Sequence, residues 1–306
     1  MHDSLSDRRL SNRNPMNESG ISKVLVIGGS GMIGTPVTER LIVAGYDVAI
    51  GVRRTERAAS LTRSGAKAIA IDVTRPDTLP LALAGFDAVQ LILPSGPRFE
   101  DCFRVEANGA KAVAEAAKQA GIKRISYLSG ASNLTADHHF PPVRAKWNAE
   151  NSIKESSVPF TIWRAGWFIE TLTRLVRAGV IGMPGRGMAA AHWLAASDFG
   201  DMVANAFATN QAEGKTLFAF GPELVSLRDA VRVFRDICYP GRLILSAPIP
   251  LLLSATRLVG AHEAWFGAQM LRFLEVEPEF GDSTEARRIV GSAKITIKEW
   301  CQRRVA

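Results

Sequence analysis

The chain of 306 residues is 47% hydrophobic and 22% charged, which is ordinary for a globular protein with one large core or two joined ones. Its net charge of +7 is spread along the chain in nothing longer than pairs such as Arg53–Arg54, so no nucleic-acid partner is expected. The three cysteines lie far apart without metal-ligand spacing, so no metal site is expected. The most apolar stretch, Leu243–Leu253, has about half the length of a membrane span and contains prolines, so no membrane-spanning helix is expected.

Residues 1–20 are rich in Ser, Asn and Arg, but they also contain acidic residues and lack an apolar core. This composition fits neither a secretory signal nor a transit peptide, and it predicts a disordered N-terminal tail and a cytoplasmic location. The remaining chain divides into segments 21–165 and 166–306, with no flexible linker between them.

The stretch Lys23–Gly34 (KVLVIGGSGMIG) reads as a strand, a tight glycine turn and the start of a helix. Glycines permit a turn this tight, and they let a phosphate approach the N–H groups and the positive dipole end of the helix. The pattern follows a strand and opens a helix, so it predicts a nucleotide site. The predicted binding residues are Gly28, Gly29, Ser30, Gly31, Met32, Ile33 and Gly34.

Strands and helices then alternate for about 140 residues, which favours a doubly wound parallel α/β sheet of the Rossmann type. Further strands are predicted at Asp47–Val52, Ala66–Val73, Phe86–Leu93, Lys123–Ser129 and Phe160–Arg164. Helices are predicted at Thr55–Arg63 with Thr55 as N-cap, from Pro76 through Leu83, at Glu100–Ala120 with Gly121 closing it, and at Pro142–Ser156.

The second half is less regular, and it predicts a smaller mixed α/β portion that completes the sheet and covers a substrate pocket. Its predicted elements are a helix at Trp167–Ala178, a glycine-rich loop at Val180–Gly187, a strand at Ala190–Ala195, a helix capped by Ser197 or Asp198 and running to Thr209, a strand at Thr216–Phe220, a helix at Ser226–Asp236 opened by its Ser, and several short helices from Pro250 onward.

Three strand ends bear on the cofactor. Arg53 and Arg54 follow the second strand, where an acidic residue would bind a ribose 2′-hydroxyl and an Arg accommodates a 2′-phosphate, so NADP(H) is preferred over NAD(H). Asp72 and Val73 end the third strand, where Asp72 either meets the adenine or merely forms a turn. The fourth strand ends next to the expected nicotinamide ribose, with the residues Leu93, Pro94 and Ser95.

The chain resembles the NmrA-like branch of the atypical short-chain dehydrogenase/reductase superfamily from Lys23 to Trp300. The motifs that carry the resemblance are the GGSGMIG turn, Asp72–Val73, YLSGAS at Tyr127–Ser132, Lys146, WRAGWFIE at Trp163–Glu170, HWLAASDFG at His192–Gly200, GKTLFAFGPELVSLRDA at Gly214–Ala230 and EARRIVGSAKITIKEW at Glu285–Trp300. The resemblance implies NAD(P) binding and, in many members, reduction of small ketones, quinones or similar acceptors. Other members are redox-sensing regulators that bind the cofactor without turnover.

The resemblance also implies an active-site Lys with a Tyr acid four residues before it, and here the sequence departs from the pattern. Lys146 matches the Lys that holds the nicotinamide ribose, but Pro142 stands at the Tyr position and can donate no proton. Ser129 lies near the expected helper Ser, or else it only caps the strand end.

A loop histidine, His138 or His139, is a candidate replacement for the missing acid, with plain exposure as the alternative. Aromatic residues after the sixth strand predict a substrate pocket at Trp167, Phe168, His192 and Trp193, with core packing as the alternative.

These features predict an NADPH-dependent oxidoreductase that acts on a small-molecule carbonyl, quinone or similar acceptor. A cofactor-sensing protein that binds a protein partner is the alternative, because Pro142 replaces the Tyr. A sugar-nucleotide epimerase or dehydratase is a weaker one, because such enzymes usually keep the Tyr. The expected oligomeric state is a monomer or homodimer.

Overall fold

The computed structural model describes residues 18–94, 96, 98–177 and 179–306. Residues 1–17 of the predicted tail, Ser95 at the fourth strand end and Ala178 at the end of a predicted helix lie outside the described residues. Within the described part of the predicted tail, the backbone N–H of Glu18 donates to the carbonyl of Ala208 at 2.9 Å.

The described residues form a central parallel sheet and two small sheets. In chain order the strands are β1 (Lys23–Ile27), β2 (Asp47–Val52), β3 (Lys67–Ala70), β4 (Ala88–Leu91), β5 (Arg124–Gly130), β6 (Phe160–Ala165), β7 (Val176–Arg177), β8 (Val180–Pro184), β9 (Ala190–His192), β10 (Lys215–Ala219), β11 (Leu224–Ser226) and β12 (Ile244–Ala247). The central sheet has seven parallel strands in the order β10-β6-β5-β4-β1-β2-β3. One small sheet pairs β11 with β9, and in the other β8 lies between β12 and β7. This architecture confirms the predicted doubly wound α/β fold.

The strand order reverses at β1, which pairs with β2 on one side and with β4 on the other. Val24 lies opposite Val48 and Ala88 in these two ladders. The chain therefore leaves β1 and β4 in opposite directions, and a crevice opens outside their carboxyl ends, where open α/β sheets bind ligands.

Helices cover both faces of the sheet, and successive side chains of β1 point to opposite faces, so they belong to two different cores. Val24 and Val26 belong to the core on one face, where Val37 and Phe199 of the covering helices lie. Leu25 belongs to the core on the other face. A strand with no polar face fits only at the centre of such a sheet.

The helices cover these faces and bring the glycine turn and later residues to the crevice. In chain order the helices are α1 (Gly34–Val43), α2 (Ala59–Arg63), α3 (Leu79–Leu83), α4 (Phe99–Asp101), α5 (Asn108–Ala120), α6 (Pro141–Glu155), α7 (Ala196–Ala208), α8 (Leu227–Cys238), α9 (Ile249–Leu258), α10 (His262–Val276), α11 (Thr284–Val290) and α12 (Ile297–Val305). Short 3₁₀ segments lie at Thr55–Ala58, Pro76–Thr78, Ile169–Leu175 and Asn210–Ala212.

Several predicted boundaries in the second half are wrong. The predicted loop at Val180–Gly187 contains strand β8, which pairs with two other strands, and the predicted helix from Trp167 is a 3₁₀ segment followed by β7. Helix α7 is capped at Ala195 without a side-chain bond, so neither predicted cap is used. Asp198 instead accepts the N–H groups of Lys294 and Ile295.

Two predictions in the first half also need correction. Thr55 starts a 3₁₀ turn whose N-cap position is Arg54, and no side-chain cap bond forms there. The predicted continuous helix before Gly121 contains a π-helical stretch, Cys102–Ala107. Such stretches are rare and frequently lie at functional sites. Gly121 itself ends α5 in the left-handed conformation, φ +70°, as predicted.

The C-terminal half contributes both to the sheet and to the crevice. Strand β10 pairs in parallel with β6 and forms one edge of the main sheet. Residues after α10 return to the carboxyl ends of the strands, where the N–H of Phe280 donates to the carbonyl of Ala131 at 3.0 Å. In the part of the chain that the structure describes, no helix combines the length and the apolar character needed to cross a bilayer.

Candidate functional site

A cleft of about 1090 Å³ lies at the carboxyl ends of β1, β4, β5 and β6. It is lined by most of the predicted site residues, namely Gly28, Ser30, Gly31, Met32, Ile33, Gly34, Arg53, Arg54, Asp72, Val73, Leu93, Pro94, Ser129, Lys146, Trp167 and Phe168. Gly29, His139, His192 and Trp193 are not among the lining residues. The predicted cofactor and pocket positions thus come together in one cavity, with these exceptions.

Two of the three regularly spaced glycines in the turn leave no room for a Cβ, namely Gly28 and Gly34. Gly28 has φ +86°, and a Cβ there would overlap the carbonyl oxygen of Ile92. A Cβ on Gly34 would overlap the carbonyl of Gly28. Gly29 lies against the sheet as well, because its Cβ would come within 2.5 Å of Ile50 Cγ2. These glycines are required by the fold of the turn itself.

Gly31 differs, because a Cβ there would meet only the carbonyl oxygen of Gly28, at 3.3 Å. Packing therefore does not require a glycine at this position, which faces the cleft. Helix α1 begins beside it with Ile33 as N-cap, without a side-chain cap and without an acidic residue in its first turn. An uncapped helix N-terminus next to a bare backbone suits an anion such as a pyrophosphate.

The far end of the cleft carries two exposed guanidinium groups after β2, on Arg53 and Arg54. Asp72, at the end of the third predicted strand, accepts bonds from the hydroxyl and the N–H of Thr74 at 2.7 and 2.9 Å. These bonds hold the pKa of Asp72 below its ordinary value. Asp72 therefore forms the turn that the sequence left as an alternative, while it also lines the cleft.

Lys146 reaches the cleft from α6 and is anchored by a buried carboxylate. Its Nζ lies 2.5 Å from Oε1 of Glu106, which is fully buried in the π-helical stretch. The same oxygen accepts the hydroxyl of Tyr127 at 2.9 Å. Burial, together with the charge of Glu106, raises the pKa of Tyr127 well above its ordinary value. Tyr127 thus keeps its proton inside the core.

The other positions of the expected catalytic set supply no acid. Pro142 lines the cleft in the first turn of α6, where its ring carries no donor. The hydroxyl of Ser129 donates to Oε1 of Glu150 at 2.7 Å. Arg164 donates to both oxygens of Glu150, at 3.0 and 2.8 Å. Burial alone would raise the pKa of Glu150, but the bonds from Arg164 and Ser129 hold it below its ordinary value.

The loop histidines lie at the rim. His139 is exposed and stacks on His138 with ring centroids 4.6 Å apart. His138 Nδ1 accepts the N–H of Phe140 at 3.0 Å, and its Nε2 lies 3.8 Å from Glu277 Oε1. Burial first, and the neighbouring His139 second, lower the pKa of His138. Nδ1 of His138 already accepts a hydrogen bond, so the neutral imidazole of His138 carries its proton on Nε2. A ring nitrogen that carries a proton cannot bind a metal ion, so Nε2 of His138 is not suited to that role.

The four predicted pocket aromatics have different places. Trp167 and Phe168 line the cleft, and Phe168 also packs edge-on against Phe199 with ring centroids 5.7 Å apart. Trp193 is only 2% exposed, and its Nε1 donates to the carbonyl of Val225, so it belongs to the core of the C-terminal half. His192 lies behind the cleft wall, stacked on Phe220 with ring centroids 5.1 Å apart.

Sequence reasoning missed the wall that α10 and the following residues supply. Met270, Phe273, Glu277 and Glu279 line the cleft opposite the strand ends. Glu279 Oε2 accepts the backbone N–H and the ring Nδ1 of His192, at 2.8 and 2.9 Å. No local sequence pattern predicts this wall, because a single Glu in a short polar segment is a common surface feature.

Comparisons with known proteins agree with this geometry. A family model described as NAD(P)H-binding matches residues 28–197. The chain is 30% identical to an NAD(P)H azoreductase of Xenophilus azovorans over 66% of this chain and 69% of that protein. It is 32% identical to the photosystem II assembly factor Ycf39 of Trieres chinensis over 49% of this chain and 47% of that protein, so the match spans about half of that relative's length.

The fold also matches solved structures. The NADPH-dependent quinone oxidoreductase of Escherichia coli, solved with NADPH, superposes with a TM-score of 0.70 at 19% identity over 92% of this chain and 100% of that one. At this identity the likeness establishes the fold alone. The family match covers more than half of the chain and begins at the glycine turn. The chain therefore belongs to the NAD(P)H-binding family of Rossmann-fold proteins, in agreement with its NmrA-like motifs.

Proposed function

We propose that this protein is an NADPH-dependent oxidoreductase that reduces an apolar or aromatic carbonyl, quinone or similar acceptor. The observation that carries the proposal is a single cleft that contains the glycine turn, two arginines, Lys146 and an aromatic wall. The phosphate end and the aromatic end lie in the same cavity, as hydride transfer from a bound dinucleotide to a flat substrate requires. The similarity to an azoreductase supports the class of reaction.

The preference for NADPH rests on the exposed guanidinium groups after β2. Arg53 and Arg54 line the cleft at the position that meets the adenosine ribose in Rossmann sites. A planar guanidinium can donate two parallel bonds to a phosphate, which makes Arg suited to a 2′-phosphate. The phosphates of the linkage would lie against Gly31 and the uncapped start of α1, where the backbone leaves room.

The cofactor supplies a hydride, and the residues of the chain orient it and shape the acceptor pocket. Lys146, held by Glu106, would bind the nicotinamide ribose. Pro142 cannot supply the proton that the usual Tyr gives, so the proton for a reduced carbonyl or quinone comes from another group or from solvent. Trp167 and Phe168 would hold such an acceptor by its flat face.

The test is oxidation of NADPH by the purified full chain, followed at 340 nm, with panels of quinones, azo compounds, aldehydes and ketones. The proposal expects saturable turnover with members of the panel, and weaker turnover when NADH replaces NADPH. Cofactor binding without turnover of any acceptor would contradict the proposal.

A second candidate function is a cofactor-sensing protein that binds a protein partner. The proline in place of the acid favours it, and so does the similarity to an assembly factor. This function expects NADPH to change the set of proteins that the purified chain retains in a pull-down. If the retained proteins are the same with and without NADPH, the sensing function is contradicted.

A further inference from the structure

The residues 277–281, which we name the cap segment, fold over the carboxyl ends of β5, β6 and β10. The N–H of Phe280 donates to the carbonyl of Ala131 after β5, at 3.0 Å. Gly281 lies directly against the ring of Phe218 on β10. These contacts hold the two residues that follow Glu279, and Glu279 itself lines the cleft.

The two oxygens of Glu279 have different surroundings. Oε2 accepts both the N–H and the ring Nδ1 of His192, at 2.8 and 2.9 Å. Oε1 is buried and has no hydrogen-bond partner among the described residues. It lies over Gly166 at the end of β6, where a Cβ would come within 2.6 Å of it. A buried carboxyl oxygen without a partner is costly, unless a ligand completes it.

The pair of Glu279 and His192 is also connected to solvent, through the imidazole ring. The side chain of Glu279 is 9% exposed, whereas that of His192 is 33% exposed. His192 stacks on Phe220, which orients its ring with Nδ1 toward Glu279. A proton can therefore enter at the imidazole and leave from the carboxyl group on the cleft side.

The other ionisable groups near the cap segment are less suited to this role. Glu277 faces His138 at the rim, and Glu263 is exposed. Arg174 lines the cleft but holds its proton permanently. The Lys146 ammonium is bonded to Glu106. Among these groups, Glu279 combines burial, a carboxyl oxygen without a hydrogen-bond partner and a neighbour that can resupply a proton, and it lines the cleft.

We propose that Glu279 is the proton donor that replaces the missing tyrosine, with His192 as its proton supply; this inference rests on the proposed reductase function. With an aldehyde or ketone, hydride forms the new C–H bond at the carbonyl carbon, and the electron pair of the C=O bond moves to oxygen. That oxygen takes the proton of the Glu279 carboxyl group, and an O–H bond forms as the carboxyl O–H bond breaks. The Glu279 carboxylate then takes the Nδ1 proton of His192 while water protonates Nε2, and exchange of the imidazole proton with solvent restores the Nδ1–H form for the next turnover.

The experiment compares two acceptor classes in the full chain with NADPH. Quinones and aromatic aldehydes need both a hydride and a proton, whereas a triarylmethyl cation such as crystal violet takes a hydride alone. Glu279→Gln keeps the size of the side chain and an acceptor for His192, but it cannot donate an acidic proton. We expect kcat with the aldehydes or quinones to fall about 100-fold, as for loss of a general acid, and kcat with the cation to stay within about twofold.

Two further variants separate proton transfer from structural effects. His192→Phe keeps the stack on Phe220 and removes the proton supply, so it should give the same selective loss. Glu275→Gln changes an exposed Glu near Gly185, outside the cleft lining, and should change neither activity. NADPH affinity, from quenching of protein fluorescence, should be equal in all four proteins.

Each outcome decides the proposal. Selective loss with the proton-requiring acceptors supports it. Full activity of Glu279→Gln with those acceptors, or loss with the cation alone, overturns the donor role while the reductase function stands. Wild-type turnover of the cation alone also overturns the donor role. If the wild-type protein oxidises NADPH with neither class, the reductase function and the donor role both fall.

Discussion

Gly31→Ala should separate cofactor binding from folding, because Gly28 and Gly31 are glycines for different reasons. At Gly31 a Cβ meets only the carbonyl oxygen of Gly28, at 3.3 Å, so the change in unfolding free energy should stay below about 1 kcal/mol. Gly31 lines the cleft, so in the proposed cofactor site the same Cβ would occupy space that a pyrophosphate needs. Loss of one or two charge-assisted bonds there should weaken NADPH binding by about 2–3 kcal/mol, or roughly 30- to 150-fold.

Gly28→Ala should behave in the opposite way. With φ +86° and a Cβ that overlaps the carbonyl of Ile92, the substitution combines a left-handed conformation with a backbone clash. The conformation alone costs about 1–2 kcal/mol, and the clash adds to it, so urea unfolding should shift by at least about 2 kcal/mol.

The assays are urea denaturation followed by tryptophan fluorescence, and titration of NADPH by calorimetry. Gly267→Ala is the matched control, since this glycine lies in α10 and a Cβ there meets nothing within 4 Å. It should leave binding unchanged and raise stability slightly, because Ala is the better helix former. If Gly31→Ala unfolds the protein as Gly28→Ala does, or binds NADPH as tightly as wild type, the assignment of the phosphate site is refuted.

Three other predictions address the remaining parts of the site and fold. Arg53→Glu should weaken NADPH binding by about 2–3 kcal/mol and NADH binding far less, measured by calorimetry; an equal loss for both cofactors would place the 2′-phosphate elsewhere. Glu106→Gln breaks the buried link between Lys146 and Tyr127 and should lower stability in urea by about 3 kcal/mol; a change below about 0.5 kcal/mol would contradict that link. Burial alone would raise the pKa of Asp87, but bonds from Lys123 and from the N–H groups of the β1 start hold it at about 2, below the ordinary value of 3.8. The stabilisation from Asp87 is therefore complete above about pH 4 and is lost as pH falls through about 2. The difference in unfolding free energy between wild type and Asp87→Asn should narrow over that range. A difference that stays constant with pH would contradict this prediction.

The parts of the site that depend on short stretches of chain were predictable from the sequence. The turn from Gly28 to Gly34 needs only a buried strand before it and a helix after it, and both are visible in the apolar pattern. Arg53 follows a strand that is buried on both faces, so its place at the crevice follows from the fold class.

The partners of the predicted catalytic residues Lys146 and Ser129 were not predictable in the same way. Glu106 stands in an Ala-rich helical stretch where a Glu is ordinarily exposed, yet it is fully buried between Lys146 and Tyr127. The bond of Ser129 to Glu150 links β5 to α6, residues 21 positions apart. Such pairs depend on how the helices pack on the sheet. A single sequence contains no periodic pattern that indicates which distant residues this packing brings together.

The pocket wall shows the same limit over a longer range. His192 and Trp193 are neighbours whose side chains point to opposite sides of an extended segment, so one reaches Glu279 and the other reaches the core. The segment that carries Glu279 lies 87 positions from His192 along the chain. Only the return of the chain after α10 brings the two together.

In the proposed function, this cleft holds NADPH and passes its hydride to an acceptor. We test this step with NADPH that carries deuterium at both C4 positions, by mass spectrometry of the product formed from an acceptor that the wild-type chain reduces. We expect one deuterium at the reduced carbon of an aromatic aldehyde or triarylmethyl cation, and loss of the transfer in Gly31→Ala at subsaturating cofactor. Product without deuterium, or the same transfer in that variant, would contradict the claim.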